Sequence, residues 1–405
     1  MSRAVVITGM GVISAHGLGR ESLAAALAAG TPATAAVDRS AGFHPRGGAR
    51  TAAMVGPVDL GRWLPAAAAR RMGRPSRLAV AAARMAIADA GIDLPASHPT
   101  LTAVAMATTF GASSSTETLL KEIRDEGPEA ASPFQFTECV ANAPTAQVAL
   151  SLGARGANFT LMQGEAGPLL AVARAAREVS SGRAEMALAG AVDEVTPLLH
   201  AILDRFGALA QPDRAGVERA RPLAAGRNGY TLGEGAAVLV LEPEGVARAR
   251  GARVLARLGG SAGANDPSAP AGGWGSGGAG LAAALSRFLT AMGGARIDRI
   301  VSGASGSRRG DLLEGSVLKM GFDRGTLPPV HTPKGIVGEH GGGLLAAAVL
   351  AAAGCPIARP SGCDEIDPEI GFLAHAGGLP EPPQRTLVTA LASGGPAAWL
   401  LLERP

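Results

Sequence analysis

The chain has 405 residues, 47% of them hydrophobic, which is enough for two or three domains with substantial cores. A net charge of +3 and only 3% aromatic residues argue against a nucleic-acid-binding surface, because such surfaces combine dense basic charge with stacking rings. Its three cysteines have neither metal-ligand spacing nor an even disulfide pattern, which favours a reducing, cytoplasmic setting. The longest apolar run, 344–358, is interrupted by Gly354 and Pro356 and is shorter than the roughly 20 residues of a membrane span.

The first part of the chain alternates buried strands with apolar helices. The predicted elements are strand 4–8, helix 21–29, helix 78–90, strand 101–107 and, after the small polar segment 108–116, helix 117–124. Gly9 and Gly11 follow the first strand, as in a dinucleotide-binding turn. The third glycine of that motif is absent, and Ser14 stands in its place. A dinucleotide site is therefore not expected.

The most informative stretch is a strand, a sharp turn and a helix between residues 154 and 182. Residues 158–162 are predicted to form a short buried strand, 163–167 a tight turn with Glu165 at its centre, and Pro168 the first turn of a helix. We expect Arg174 and Glu178 to point away from the apolar stripe of this helix. Enzymes often place a nucleophile in such a turn, because the unpaired N–H groups at a helix start favour negative charge.

The second half of the chain repeats the pattern of the first. It begins near residue 250 with a Gly/Ser/Ala/Pro-rich stretch, 259–280, for which we expect a surface loop. A helix over 281–292, a strand over 297–301 and a strand-turn-helix over 329–353 follow. The recurring order of strand, glycine turn and alanine-rich helix predicts an internally duplicated α/β protein.

Several of these segments resemble the β-ketoacyl synthases of the thiolase-like superfamily. The segment 221–242, which contains Asn-Gly-Tyr-Thr-Leu-Gly-Glu-Gly, is similar to the family's RPFDxxRDGFVxGEGAGVLVLE over about twenty residues. The elbow at 163–167 and the sequence GRAEMALAGAVDE at 182–194 resemble the nucleophile turn of the family and the strand that follows it. The resemblance covers essentially the whole chain. It implies an α/β thiolase-like fold of two duplicated halves, 1–249 and 250–405, in a layered αβαβα arrangement.

Four positions that this family uses for condensation carry other residues here. A ketosynthase needs a cysteine thiolate to hold the growing chain, and two histidines to steer malonyl decarboxylation and stabilise the enolate. The resemblance places Glu165 at the cysteine, Ser305 and Glu339 at the two histidines, and Ser393 at a phenylalanine gate. His340 lies one place beyond Glu339, so a one-residue shift of the alignment would return it to the histidine position. No catalytic residue is therefore assigned.

These substitutions make the chain similar to a chain length factor, the KSβ subunit of bacterial type II polyketide synthases. The resemblance implies a heterodimer with a cysteine-bearing ketosynthase, chains delivered by an acyl carrier protein, and a tunnel that sets polyketide length. It implies no cofactor, no metal, and neither a nucleic-acid nor a membrane partner. The elbow differs from the common GEQAGG, which leaves room for polyene-forming systems. The implied tunnel and interface positions are Ala112, Ser113, Ser115, Thr116, Asn158, Thr160 and Met162.

The small side chains at 112–116 predict a relatively open tunnel, and the strand 158–162 is expected at the dimer interface. Three alternatives to this interpretation stay open. In the first, Glu165 merely caps the helix and plugs an unused pocket. In the second, Glu165 or His340 supports decarboxylation of malonyl carrier protein, which supplies a starter unit. In the third, the chain is an active thiolase-like enzyme, which needs another nucleophile such as Cys139, although that cysteine is not in an elbow.

Overall fold

The computed structural model describes residues 3–45, 47–93, 101–294, 296–322 and 327–405. The strands are β1 (Val5–Ser14), β2 (Gly17–Leu18), β3 (Ala35–Ala36), β4 (Thr51–Ala52), β5 (Thr102–Ala107), β6 (Asn158–Leu161), β7 (Met186–Asp193), β8 (Gly235–Pro243), β9 (Ala256–Asn265), β10 (Arg299–Ser302), β11 (Val330–His331), β12 (Arg385–Leu391) and β13 (Pro396–Glu403). The helices are α1 (Arg20–Ala29), α2 (Ala66–Ala69), α3 (Arg74–Asp89), α4 (Ser113–Glu126), α5 (Pro133–Cys139), α6 (Ala143–Leu152), α7 (Gly167–Ser180), α8 (Pro197–Arg205), α9 (Glu244–Ala249), α10 (Gly278–Ala291), α11 (Arg308–Gly321), α12 (Lys334–Val337) and α13 (Gly341–Ala352).

The main sheet consists of two similar halves. In the first, β6, β5 and β7 are parallel, and β8 and β1 continue the sheet in antiparallel fashion. In the second, β11, β10 and β12 are parallel, and β13 and β9 continue in the same way. The halves meet where β1 pairs with β9 over two residue pairs. The predicted duplication of an α/β unit is therefore confirmed. The exact boundary at 249/250 remains a prediction.

Two helices lie between the halves. Both α7 and α13 pack against strands from the first half and from the second. Helix α13 is buried on every side, which its composition of glycine, alanine, leucine and valine allows. Helices α3 and α6 cover the outer face of the first half, and α10 and α11 cover that of the second. The layers thus alternate as αβαβα.

Strand β1 is longer than the sequence predicted, because Gly9 and Gly11 continue it instead of forming a turn. A Cβ atom on Gly9 would lie 2.3 Å from the carbonyl oxygen of Ala86, and one on Gly11 would lie 1.9 Å from that of Ala82. These glycines therefore let α3 lie directly on the strand. Their role is close packing, which agrees with the expectation that they do not form a dinucleotide-binding loop.

The surface loop expected at 259–280 was wrong for its first part. Strand β9 runs through Asn265 and pairs with β13 along its length. Its small residues leave room for neighbouring helices, as at Gly260, where a Cβ atom would lie 2.4 Å from the sulfur of Met292 on the segment after α10. Small residues that admit a close neighbour look like loop residues in a sequence. Among the described residues, no helix is both long and apolar enough to cross a membrane.

Candidate functional site

The elbow joins the edge of the first half-sheet to the central helix layer. Strand β6 ends at Leu161, a single 3₁₀ turn covers Gly164–Ala166, and α7 begins at Gly167. Gly164 has a φ of 51°, in the left-handed region that glycine tolerates best. The turn therefore places Glu165 at the start of a buried helix, as the sequence predicted.

Two local expectations around the elbow were wrong. Strand β6 is half-exposed instead of buried, and Met162 beyond it is 51% exposed, because β6 lies at the edge of the sheet. Glu178 is buried on α7, although we expected it to point away from the core. It is held there by Arg174 at 2.9 Å and Arg183 at 2.8 Å. Two arginines thus compensate its burial.

The carboxylate of Glu165 occupies a site made by backbone donors. The Ser393 N–H, in the turn between β12 and β13, donates to Glu165 Oε2 over 3.1 Å. This bond, together with the backbone of Glu165 itself, favours the ionised carboxylate and so acts to lower its pKa. Backbone N–H groups are the usual means of stabilising an oxyanion in acyl transfer. In this chain the N–H of Ser393 binds the side chain of Glu165.

Glu165 shares one buried cation with a second carboxylate. The Nζ of Lys334 lies 2.5 Å from Glu339 Oε1, and both side chains are buried. Burial, followed by the charge of Glu339, raises the pKa of Glu165 to about 7, and Lys334 opposes this shift. Burial tends to lower the pKa of Lys334, but the carboxylates of Glu339 and Glu165 raise it. Burial and then the same two carboxylates keep the pKa of Tyr230 well above its usual value.

His340 has a different environment from Glu339. Its Nδ1 accepts the N–H of Gly343 over 3.2 Å and so caps α13. Its ring packs against Gly233 and Gly235, where an added Cβ atom would lie 2.8 Å away. Burial and the charge of Lys334 lower the pKa of His340 to about 3, so the imidazole is neutral. The structure thus brings Glu339, and not His340, into electrostatic contact with Glu165.

Ser305 lies in the loop after β10, where its backbone N–H donates to Asp311 over 3.1 Å. Asp311 also accepts the N–H groups of Leu223, at 2.8 Å, and Gly306. Burial raises the pKa of Asp311 to about 7. This aspartate therefore ties the 221–223 segment to the Ser305 loop, a role that the sequence analysis did not anticipate.

Asp193 is a second structural carboxylate that the sequence analysis missed. It lies at the end of β7 and accepts the N–H of Thr109 at 2.7 Å and that of Gly341 at 3.1 Å. Burial raises its pKa to about 6. It joins the loop before α4 to the start of α13. An acidic residue directly after a buried strand was the available signal.

The residues implied for the tunnel lie at the start of α4. This helix begins at Ser113, four residues before the expected start, because Glu194 bonds its first turn. Glu194 accepts the N–H of Ser114 at 2.7 Å and the hydroxyl of Ser113 at 3.3 Å. Ala112 and Ser115 are buried, and Thr116 is half-buried. The open tunnel itself stays a prediction.

The residues implied for an interface lie on the open edge of β6. Ala157 and Leu161 accept backbone N–H groups from β5. Because alternate residues of a strand face opposite neighbours, the backbone groups of Asn158 and Thr160 point away from β5. The side chains of both bond to Thr145, through its carbonyl oxygen at 3.3 Å and its hydroxyl at 2.7 Å respectively. Cys139 ends α5 and is not in an elbow.

A duplicated αβαβα fold with a nucleophile elbow between its halves defines the class of thiolase-like proteins. Residues 2–247 match the family described as Beta-ketoacyl synthase, N-terminal domain. This chain belongs to the β-ketoacyl synthase family.

Several known proteins similar to this chain are named for polyketide synthesis. A Streptomyces violaceoruber protein named as granaticin polyketide β-ketoacyl synthase 1 is 32% identical over 272 residues, which cover 65% of this chain and 63% of that protein. The structure titled "The ishigamide ketosynthase/chain length factor" is 29% identical, with a TM-score of 0.87 and full coverage of both chains. A chain in the structure of a type II acyl carrier protein in complex with its ketosynthase shares the fold, with a TM-score of 0.85 at 20% identity and full coverage of both chains.

Proposed function

We propose that this chain is a non-condensing chain length factor subunit. It pairs with a cysteine-bearing ketosynthase and shapes the tunnel in which a polyketide, including a polyene, grows on an acyl carrier protein. The observation that supports this most directly is Glu165 in the elbow, with its carboxylate held by the N–H of Ser393 over 3.1 Å. The side chain that would have to carry the acyl group is the wrong nucleophile, and it occupies the N–H of Ser393, which would otherwise be free to bind an oxyanion.

The chemistry of a carboxylate supports this interpretation. A carboxylate attacks thioesters poorly, and the mixed anhydride that it would form hydrolyses readily. The groups that a condensing enzyme uses next are also replaced. Ser305 has no basic group, Glu339 is paired with Lys334 at 2.5 Å, and neutral His340 caps α13. Condensation therefore requires a cysteine-bearing partner.

The surface beside the elbow suits a protein partner. The open edge of β6 presents backbone donors and acceptors, which readily pair with another strand. Large apolar side chains are exposed on the neighbouring helices, with Phe136 of α5 at 62% and Leu150 of α6 at 75%. Met162, just beyond β6, is also exposed, at 51%. Large exposed apolar side chains of this kind are candidates for an interaction site.

A decarboxylase that supplies starter units is the second candidate. One observation favours it: the pKa of Glu165 is raised to about 7, so its carboxyl group exchanges protons near neutral pH. Against it, His340 is neutral and its Nδ1 is used in the helix cap. A decarboxylase predicts that Glu165→Ala abolishes starter formation and that supplied acetyl starter restores the product. A chain length factor predicts that starter formation survives this change.

The partner is tested by changing the β6 edge. Thr160→Pro removes the outward N–H without removing a bond to β5, whereas Thr160→Val keeps the N–H and loses only the hydroxyl bond to Thr145. Each variant is co-expressed with a cysteine-bearing ketosynthase of a type II polyketide synthase. We expect wild type and Thr160→Val to co-purify with it and Thr160→Pro to lose it, while circular dichroism shows all three folded. A stable wild-type monomer with no bound ketosynthase contradicts the proposal.

A further inference from the structure

A groove of about 810 Å³ runs along the outer side of α7. It lies between this helix, the start of β9 and the N-terminal residues before β1. Its wall begins at the elbow, with Leu161 and Gln163, and continues along α7 with Leu170. The groove is therefore continuous with the open edge of β6.

The charge of this groove is one-sided. Four arginines line it, Arg3, Arg174, Arg177 and Arg257, against a single carboxylate, Glu403. Since the groove is a concave surface whose charges are mostly positive, it attracts acidic groups.

The four arginines are not equivalent. Arg174 is fixed, because it pairs with Glu178 at 2.9 Å and lies 4.0 Å from the centre of the Phe159 ring. Arg257 pairs with Glu244 at 3.2 Å and Glu403 at 3.7 Å. Arg3 and Arg177 are exposed and form no ion pair within the described part of the chain. These two side chains carry the positive charge that is left without compensation.

We propose that this groove receives an acidic segment of the partner ketosynthase, and that its arginines oppose the pairing of two copies of this chain. The inference rests on the proposed function and adds that the partner must present carboxylates to this groove. A partner that pairs with the β6 edge reaches the end of the groove, because Leu161 belongs to both. In a two-fold pair of identical chains both copies use the same patch, so two basic grooves would lie in one interface. Like charges brought together in this way disfavour a contact, whereas carboxylates would favour it.

The test changes the charge at position 177 from positive to neutral and then to negative. We compare the variants Arg177→Met and Arg177→Glu, and the double variant Arg3→Glu with Arg177→Glu. The control is Arg287→Glu, which reverses an exposed arginine on α10 that does not line the groove. Binding to the cysteine-bearing ketosynthase is measured at low and high salt. We expect the affinity for the ketosynthase to fall from wild type to Arg177→Met and again to Arg177→Glu. The double variant should lose at least tenfold in affinity, and Arg287→Glu should bind like wild type. High salt should narrow these differences.

A second measurement needs only this chain. Mixing wild type with the double variant brings a basic groove to an acidic one, so at low salt we expect more dimer in the mixture than in either protein alone. Equal dimer in all three samples overturns the inference. An unchanged affinity of the double variant for the ketosynthase also overturns it. Loss of acyl carrier protein binding while the heterodimer stays intact overturns it as well. If wild type binds no ketosynthase at all, the proposed function fails first, and the mixing result then decides whether the groove governs self-pairing.

Discussion

The backbone of Ser393 holds the side chain of Glu165 through an N–H···O bond of 3.1 Å. The two residues are 228 positions apart and come from different halves of the duplicated fold. The turn after β12 thus bonds directly to the elbow before α7. The charges of Glu339 and Lys334 also shift the pKa of this carboxylate. Its ionisation therefore depends on how residues from both halves pack together.

This coupling predicts a pH-dependent gain in stability for Glu165→Gln. The folded-state pKa of Glu165, about 7, lies above its ordinary value of 4.5, so the stabilisation from this group is complete below pH 4.5 and is lost as the pH rises through 7. Gln resembles the neutral form at every pH. Between pH 4.5 and pH 8 the unfolding free energy of the variant should therefore rise relative to wild type by about 1–3 kcal/mol. Urea unfolding at both pH values measures this, and a constant difference contradicts it.

Removing the shared cation should be more harmful than removing a carboxylate. Lys334→Met leaves the half-buried Glu165 and the buried Glu339 without an opposite charge, which we expect to cost about 3–5 kcal/mol of unfolding free energy near neutral pH. Adding Glu165→Gln and Glu339→Gln to this variant removes both charges and should restore most of the loss. Chemical denaturation of the single and triple variants measures this. An unstable triple variant would show that Lys334 acts through packing alone.

Restoring the nucleophile should not restore condensation. Glu165→Cys places a thiol at the start of α7, where the helix favours the thiolate, so we expect it to react with iodoacetamide. It should still fail to elongate an acyl chain from malonyl carrier protein, because Ser305 and Glu339 do not replace two histidines. Mass spectrometry of the purified variant separates labelling from elongation. Elongation by Glu165→Cys, or by wild type alone, would refute the non-condensing role.

The sequence predicted the elements whose patterns are local. The elbow, α7 and the duplicated order of strands were predicted correctly, because apolar periodicity and turn residues specify them. Strand β9 was missed because Gly260 and its small neighbours are needed for close packing against a helix. The local sequence pattern does not indicate such a contact.

The long-range contacts in the candidate site could not be predicted from the sequence either. The pairing of Lys334 with Glu339, and the bonds from Asp193 to Thr109 and Gly341, join residues whose proximity only the fold establishes. Lys334 was noticed as a retained residue but had no assigned partner. The family motifs therefore indicated which positions differ from a condensing enzyme. The structure shows which groups the residues at those positions bond to.

The start of α4 provides the test of tunnel shaping. Thr116 is half-buried beside the buried Ala112 and bonds its carbonyl oxygen at 2.9 Å, whereas Thr118, two residues on, is exposed. If the tunnel passes this end of the helix, Thr116→Phe narrows it and should shorten the product by one or more extension units, while Thr118→Phe leaves the product unchanged. The product mixtures of heterodimers assembled with each variant are compared by mass spectrometry. A shorter product from both variants would point to general damage to α4, and an unchanged product from both would place the tunnel elsewhere. Only a shift confined to Thr116→Phe assigns the length limit to this subunit.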